Sequence, residues 1–92
     1  MNLAHLADEP HYVYRCYDDS GRLLYIGATS NLDRRAQGHR QKTKWFYEMA
    51  TCKVTGPFVG VGARSRAFDF ETRQIVALAP LYNRVLRLRA AS

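Results

Sequence analysis

Residues 11–27 read HYVYRCYDDSGRLLYIG, and this stretch decides the fold of the chain. Residues 11–17 are aromatic and β-branched, which predicts a strand, and residues 22–26 predict a second strand. Between them, residues 18–21 are a cluster of turn-forming side chains. Because this turn is short, the two strands are expected to run antiparallel as a β-hairpin.

The register of the hairpin places two tyrosines on one face of the sheet. With the turn centred between Asp19 and Ser20, Tyr14 lies opposite Tyr25, and such cross-strand neighbours share a face. A β-bulge in the turn would change this pairing. Tyrosine pairs across strands are common packing, so the two phenols indicate chemistry only where charged groups converge on them.

A helix and a third strand are predicted after the hairpin. Ser30 and Asn31 are N-cap candidates for a strongly basic helix over residues 32–42. Residues 51–55 (TCKVT) predict a third strand, which ends at Gly56-Pro57.

A second helix is predicted over residues 66–78, with Ser65 as a plausible N-cap and apolar residues every three or four positions. Glu71 lies on or beside this apolar stripe, so its carboxylate is expected to be partly buried and to need a partner. A bound Mg²⁺ would serve, and so would an internal ion pair with Arg35 or Arg73.

The order strand, strand, helix, strand, helix predicts an α+β fold, a small, mostly antiparallel three-stranded sheet flanked by helices. A chain of 92 residues has room for a single domain. We expect a lead-in over residues 1–10, the folded domain over residues 11–84 and a basic tail over residues 85–92.

The chain is basic, with 14 Lys and Arg residues against 8 Asp and Glu residues and a formal net charge of +6. Of the basic residues, 11 are arginines, whose planar fork suits phosphate groups. This balance favours a polyanionic partner, although solubility alone would also account for it.

Targeting signals are absent from the pattern of the sequence. No apolar run approaches the roughly 20 residues that span a bilayer, so no membrane association is expected. The N-terminus lacks the basic and then hydrophobic stretch of a secretory signal. Cys16 and Cys52 are therefore expected to be reduced thiols of the core, and the chain is predicted to be cytoplasmic.

Arg35 and His39 are one helical turn apart, which places both side chains on the same face of the first helix. Arginine supplies a fixed fork for a phosphate, and histidine takes or gives a proton near neutral pH. A solvated basic face is the ordinary alternative at this spacing. Asn83 follows Pro80-Leu81-Tyr82, and its amide would either cap backbone groups or bind a phosphate oxygen.

From Tyr12 to Asn83 the sequence resembles the GIY-YIG nuclease superfamily. Tyr25-Ile26-Gly27 is a complete second motif, whereas the first motif has Tyr12 and Val13 in place of its glycine and isoleucine. The resemblance fills six positions in the family's order: Tyr14, Tyr25, Arg35, His39, Glu71 and Asn83.

The resemblance implies a one-metal DNA endonuclease that hydrolyses phosphodiester bonds with Mg²⁺ or Mn²⁺. Glu71 would be the metal ligand, with water in most of the other positions. The ion would polarise the phosphate and stabilise the leaving 3′ oxygen, while Arg35 would clamp a non-bridging oxygen. Asn83 would orient the phosphate or a ligand water.

Three catalytic candidates compete for the role of the base that activates the attacking water. Tyr14 or Tyr25 would remove its proton if a nearby cation lowered the phenol pKa from about 10. His39 would either receive that proton or act as the base itself.

Basic side chains of the first helix and the tail are expected to contact neighbouring phosphates without reading the base sequence. These residues are Arg34, Arg40, Lys42, Lys44, Arg84 and Arg87. Trp45 and Tyr47 would either stack on bases or cover the sheet as core residues, and a chain this small favours the second role.

Two other classes of function fit the same sequence. One is a catalytically silent nucleic-acid-binding module, which the net charge of +6 and the altered first motif would suit. The other is a protein-interaction domain whose basic face is incidental. As a nuclease, the chain would have DNA as its partner, and a homodimer, an additional DNA-targeting domain or a partner protein would supply the context.

Overall fold

The computed structural model of the chain describes residues 8–83, which contain a three-stranded sheet with the order β2-β1-β3. The strands are β1 (Asp8–Tyr17), β2 (Leu23–Thr29) and β3 (Thr51–Gly60). The helices are α1 (Leu32–Lys42), α2 (Ala63–Leu78) and a short 3₁₀ helix (Trp45–Glu48). Both strand pairs are antiparallel, which confirms the predicted α+β class.

The hairpin register differs from the predicted one by two residues. Tyr14 pairs with Gly27, and Tyr25 pairs with Cys16, so the prediction that the two tyrosines lie directly opposite each other is wrong. Side chains alternate between the faces of a sheet with a period of two, so a shift of two residues keeps both phenols on one face. They are diagonal neighbours, with ring centroids 6.1 Å apart.

The shift has two sources: the turn between β1 and β2 is longer than a two-residue hairpin, and the register changes by one further residue at an irregularity between Cys16 and Tyr17. The backbone N–H of Asp18 donates to the carbonyl of Arg22 at 3.0 Å, which closes a loop around residues 19–21. The Asp18 carboxylate accepts hydrogen bonds from the backbone N–H groups of Ser20 and Arg22. One acidic side chain therefore stabilises the loop, and the irregularity between Cys16 and Tyr17 completes the shift in pairing.

Strands β1 and β3 are both longer than predicted. β1 begins at Asp8, inside the stretch expected to be a lead-in, and β3 continues through Gly56-Pro57 to Gly60. The expectation that Gly56-Pro57 ends the strand is wrong. β3 is an edge strand, where a proline without an N–H need not interrupt the ladder.

Helix α1 has the predicted bounds, and the Asn31 side chain caps it by accepting the backbone N–H of Arg34 at 3.0 Å. Helix α2 begins earlier than predicted, after Gly62, so Ser65 lies inside the helix and is not its N-cap. The carboxylate of Asp8 instead accepts the backbone N–H of Arg64, in the first turn of α2, at 3.1 Å. Asp8 of β1 thus accepts a backbone N–H at the start of α2 that an N-cap side chain would otherwise accept.

Two apolar clusters cover the two faces of the sheet. Helix α2 packs on one face through Ala67 and Ile75, which join Val13 and Ile26. On the other face the 3₁₀ helix brings Trp45 against the sheet.

Of the aromatic and sulfur-containing residues predicted to lie in the core, two are buried and two are exposed. Trp45 is buried as expected, whereas Tyr47 is 75% exposed, so its assignment to the core is wrong. Cys16 is a buried free thiol and Cys52 an exposed one, so the core prediction holds for Cys16 alone.

Some predictions lie beyond the described residues. The basic tail over residues 85–92 lies outside them, as do Arg84 and Arg87. Between residues 8 and 83, no helix has both the length and the apolar character that crossing a bilayer requires.

Candidate active site

Tyr14, Arg35 and His39 form a hydrogen-bonded cluster between the sheet and α1. Tyr14 projects from the central strand, while Arg35 and His39 project from the same face of α1. The Tyr14 hydroxyl and Nε2 of His39 are 2.6 Å apart, and Nε of Arg35 donates to the Tyr14 oxygen at 3.3 Å. Tyr14 and His39 are only 4% and 5% exposed. Arg35 and His39 therefore lie on one face of α1, as their spacing predicted, and both contact the buried Tyr14 hydroxyl.

Burial is the main influence on the protonation states of Tyr14 and His39. Burial, and then the neighbouring Tyr25, raises the pKa of Tyr14 well above its ordinary value of 10. Burial, and then the charge of Arg35, lowers the pKa of His39 to about 4. At neutral pH the phenol is protonated and the imidazole is neutral, so the Tyr14 hydroxyl donates to Nε2 while its oxygen accepts from Arg35.

Tyr25 joins the cluster through an aromatic stack. Its ring lies 4.7 Å from that of Trp45 at an interplanar angle of 13°, and 5.0 Å from the His39 ring. The His39 and Trp45 rings are 4.6 Å apart. Trp45 thus holds both Tyr25 and the imidazole in place, a role that sequence reasoning missed because only its size and apolar character were visible.

Gly27 leaves the space that the Tyr14 phenol occupies. The two residues are partners in the strand register, and a methyl group on Gly27 would overlap the ring and hydroxyl of Tyr14. The glycine of the Tyr25-Ile26-Gly27 motif is therefore required by close packing against the catalytic candidate.

Glu71 is a half-buried carboxylate on α2, the helix that packs on the opposite face of the sheet from the Tyr14 cluster. Burial raises its pKa, while the backbone N–H of Ala28 and the charge of Arg35 lower it. Arg73 pairs with Asp69 instead, and within residues 8–83 no ion pair involves Glu71. The alternative of an internal ion pair with Arg35 or Arg73 is therefore wrong, and the carboxylate lies within electrostatic range of Arg35 without being neutralised by it.

A metal ion at Glu71 would take few ligands from the protein. In the described part of the chain, no group of three or more His, Cys, Asp or Glu side chains is arranged to hold a metal. One carboxylate, with water and a phosphate oxygen in the other positions, fits Mg²⁺, which keeps several waters when it binds.

Asn83 is engaged with the backbone of β2. Its Oδ1 accepts the N–H of Ile26 at 3.0 Å, and its Nδ2 donates to the carbonyl of the same residue at 2.9 Å. The preceding backbone N–H groups, of Leu81 and Tyr82, donate to the carbonyls of Leu23 and Leu24. Of the two roles open to Asn83 from sequence, the structure displays the capping of backbone groups.

Basic residues surround a cavity of about 500 Å³ beside the cluster. It is lined by Tyr25, Arg35, Lys42 and Lys44 among others. All four described residues expected to contact phosphates are exposed: Arg34, Arg40, Lys42 and Lys44. Of these four, Lys42 and Lys44 line the cavity beside the Tyr14 cluster.

A Tyr–His pair, a guanidinium and a half-buried carboxylate on an α+β scaffold are groups that can move a proton and stabilise negative charge. Comparison with known proteins identifies the family, because residues 10–83 match the family model of the GIY-YIG catalytic domain. The chain belongs to the GIY-YIG family and is an endonuclease domain.

Similar proteins include UvrABC system protein C from three Neisseria sources. Identity over 78 residues is 32% for N. meningitidis serogroup A, 33% for N. meningitidis serogroup B and 32% for N. gonorrhoeae. Each alignment covers 82% of this chain but only 13% of the relative, so the chain spans a small fraction of the length of these proteins.

Proposed function

We propose that this chain hydrolyses phosphodiester bonds of DNA in a reaction that depends on a single Mg²⁺ or Mn²⁺ ion. The observation that carries the proposal is the hydrogen-bonded cluster of Tyr14, His39 and Arg35 within electrostatic range of the Glu71 carboxylate. Family membership supports DNA as the substrate, since GIY-YIG nucleases act on DNA. A second copy, a further domain or a partner protein would direct the domain to its DNA target, in keeping with the much greater length of its relatives.

Tyr14 and His39 act together as a proton relay in this proposal. The Tyr14 hydroxyl is protonated and donates to a neutral imidazole, so it accepts a proton from water only as it passes its own to Nε2. The water becomes hydroxide as His39 becomes imidazolium. Arg35, which donates to the same phenol oxygen, stabilises the negative charge that develops there. Among the three candidate bases, the geometry favours His39 acting through Tyr14.

Glu71 and Arg35 act on the negative charge of the phosphate, Glu71 through the metal ion and Arg35 directly. Glu71 holds the metal ion, which when bound neutralises the phosphate and stabilises the leaving 3′ oxygen. Arg35 has guanidinium donors beyond the Nε that contacts Tyr14, and these bind a non-bridging oxygen. Electrostatic groups of this kind each contribute about 10²–10³ to the rate of comparable reactions.

Tyr25 and Asn83 orient the reacting groups. Tyr25 is held by Trp45, and its hydroxyl interacts with the Arg35 guanidinium. Asn83 fixes Ile26, the residue between Tyr25 and Gly27, so it acts on the site through the position of β2. In this role Asn83 is a positioning residue and not a ligand of the phosphate.

Nicking of supercoiled plasmid in the presence of Mg²⁺ tests the proposal. Glu71→Gln and Arg35→Ala are each expected to lower the rate by about 10²-fold or more. The matched controls are Asp69→Asn and Arg73→Ala, which remove an acid and a base from the exposed face of α2 and are expected to cut at the wild-type rate. Equal nicking by the wild type and Glu71→Gln would point to a contaminating nuclease and overturn the proposal.

The pH dependence of cleavage tests the relay. The His39 imidazole must be neutral to receive a proton, and its pKa is lowered to about 4. Activity governed by this group is therefore expected to stay level as the pH falls through 6.5 and to decline only towards pH 4. A decline centred on the ordinary histidine value near pH 6.5 would refute the relay as described.

Binding measurements separate the nuclease from a catalytically silent DNA-binding module. Lys42→Ala and Lys44→Ala are each expected to weaken DNA binding evenly across sequences and to reduce the salt slope of log K by about 1. Glu71→Gln is expected to keep its affinity for DNA while losing cleavage. Binding without cleavage by the wild type, at every Mg²⁺ and Mn²⁺ concentration, would favour the silent module.

A further inference from the structure

The two thiols of the chain are reactive groups that the proposed mechanism does not use. Cys16 on β1 and Cys52 on β3 are direct partners in the strand register, so both side chains lie on one face of the sheet. The Cys16 thiol donates a hydrogen bond to Sγ of Cys52 across 3.8 Å. Both cysteines are free, Cys16 buried and Cys52 exposed.

We infer that Cys16 and Cys52 are a peroxide-sensitive thiol pair that closes reversibly to a disulfide between the central strand and the edge strand β3. The pair is already in contact, belongs to adjacent strands, and has one member open to solvent and one shielded from it. This inference does not rest on the proposed nuclease function.

The environment of the pair assigns the order of the steps. The hydrogen bond from Cys16 lowers the pKa of Cys52 to about 7, whereas the same contact and burial raise the pKa of Cys16. Cys52 is therefore the thiolate that attacks, since thiolates are the nucleophilic form of cysteine.

The reaction has two steps that balance without any further reactant. The Cys52 thiolate attacks one oxygen of the peroxide, the O–O bond breaks, and hydroxide leaves behind a sulfenic acid. The Cys16 sulfur then attacks the Cys52 sulfur as its S–H bond breaks, the S–O bond breaks, and the departing hydroxyl takes the Cys16 proton and leaves as water while the S–S bond forms. The two sulfurs together lose two electrons and the peroxide gains them.

A disulfide at this position would link the most exposed strand of the sheet, β3, covalently to the central strand. Eight of the ten residues of β3 are exposed, so side-chain burial contributes little to holding the strand against β1. The bond would also close the chain between residues 16 and 52, a loop that contains β2 and α1. Closing a loop of this size restricts the unfolded chain and raises the melting temperature.

Thiol counting and thermal melting of the chain test the inference. The reduced chain is treated with hydrogen peroxide, unfolded, and exposed to a maleimide, and the intact mass is measured. We expect the reduced chain to take up two maleimides and the oxidised monomer to take up none and to be two hydrogens lighter. The oxidised monomer is expected to melt higher by on the order of 10 °C, and dithiothreitol is expected to reverse both changes.

Single substitutions supply the controls. Cys52→Ser removes the exposed thiol and Cys16→Ser the buried one, and in neither variant is peroxide expected to raise the melting temperature. Because each variant is compared with itself before and after peroxide, a loss of stability in Cys16→Ser does not affect the result. The inference is overturned if wild-type Cys52 stops at a sulfinic acid, if copies are linked through Cys52, or if both thiols survive.

Discussion

Gly27→Ala is expected to disrupt the active site by adding one methyl group. The new Cβ would overlap the ring and hydroxyl of Tyr14, its partner across β1 and β2. Neither backbone yields easily, because Tyr14 lies in the central strand and Ile26, next to Gly27, is held by Asn83 on the other side. The phenol must therefore leave its position, and its contacts with His39 and Arg35 go with it.

Two penalties set the size of the effect on stability. Forcing an additional methyl group into a packed site costs about 1–3 kcal/mol, and a buried hydrogen-bonding group left without its partner costs about 1–3 kcal/mol. A combined loss of about 3 kcal/mol corresponds to a melting temperature lower by roughly 12–24 °C for a domain of this size.

Thermal unfolding followed by circular dichroism, together with plasmid nicking, measures this effect. The matched control is Gly38→Ala in α1, where an added Cβ meets no heavy atom within 4 Å and where alanine favours the helix by about 0.5–1 kcal/mol. We expect a small rise in melting temperature for Gly38→Ala. In a Tyr14→Ala background, Gly27→Ala is expected to cost little. Wild-type stability and nicking for Gly27→Ala, or an undiminished loss in the double variant, would refute the steric argument.

Three further predictions follow from other parts of the fold. Asn83→Ala is expected to lower the free energy of unfolding by about 1–3 kcal/mol, because both backbone groups of Ile26 lose their partner. An unchanged urea concentration at the midpoint of unfolding would contradict this role of Asn83. Ala79→Gly is expected to raise stability by up to about 1 kcal/mol, because Ala79 ends α2 at φ 47 in the left-handed region; a lower melting temperature would contradict that. The pKa of His39 falls from 6.5 to about 4 on folding, so the unfolded chain binds more protons between these values and stability falls as the pH drops from about 6.5 towards 4; this slope should be shallower in His39→Gln.

Local physics explains which parts of the fold were predictable. The alternation of side chains put Tyr14 and Tyr25 on one face, and this holds even though the register is shifted by two. The Asn31 cap fixes the start of α1 because its partner is only three residues away. The start of α2 escaped prediction because the acid that serves it, Asp8, is 56 residues from Arg64 in the sequence.

The candidate site was predictable as a set of residues but not as an arrangement. Helical spacing placed Arg35 and His39 on one face, yet nothing local indicated that a buried Tyr14 would lie against both. The lowered pKa of His39 depends on burial, which is a property of the assembled fold. For Asn83, sequence alone left two roles open, and only the position of β2 shows where its amide groups are used.

The site and the core of this domain are partly the same residues, which determines how the roles of the site residues must be measured. Tyr14 is buried in one cluster with Cys16 and Trp45, so replacing it removes core packing together with any catalytic group. A loss of nicking in a Tyr14 variant is therefore ambiguous unless its melting temperature is unchanged. Within residues 8–83 neither Arg35 nor Glu71 forms an ion pair, although Arg35 donates a hydrogen bond to Tyr14 and Glu71 accepts one from the backbone of Ala28. Removing either side chain is therefore expected to lower cleavage by about 10²-fold or more and the free energy of unfolding by only about 1 kcal/mol. If the Arg35 and Glu71 variants lose far more cleavage activity than stability, these two side chains act in the reaction and not in the fold. Tyr14, which belongs both to the site and to the core, would then link the two.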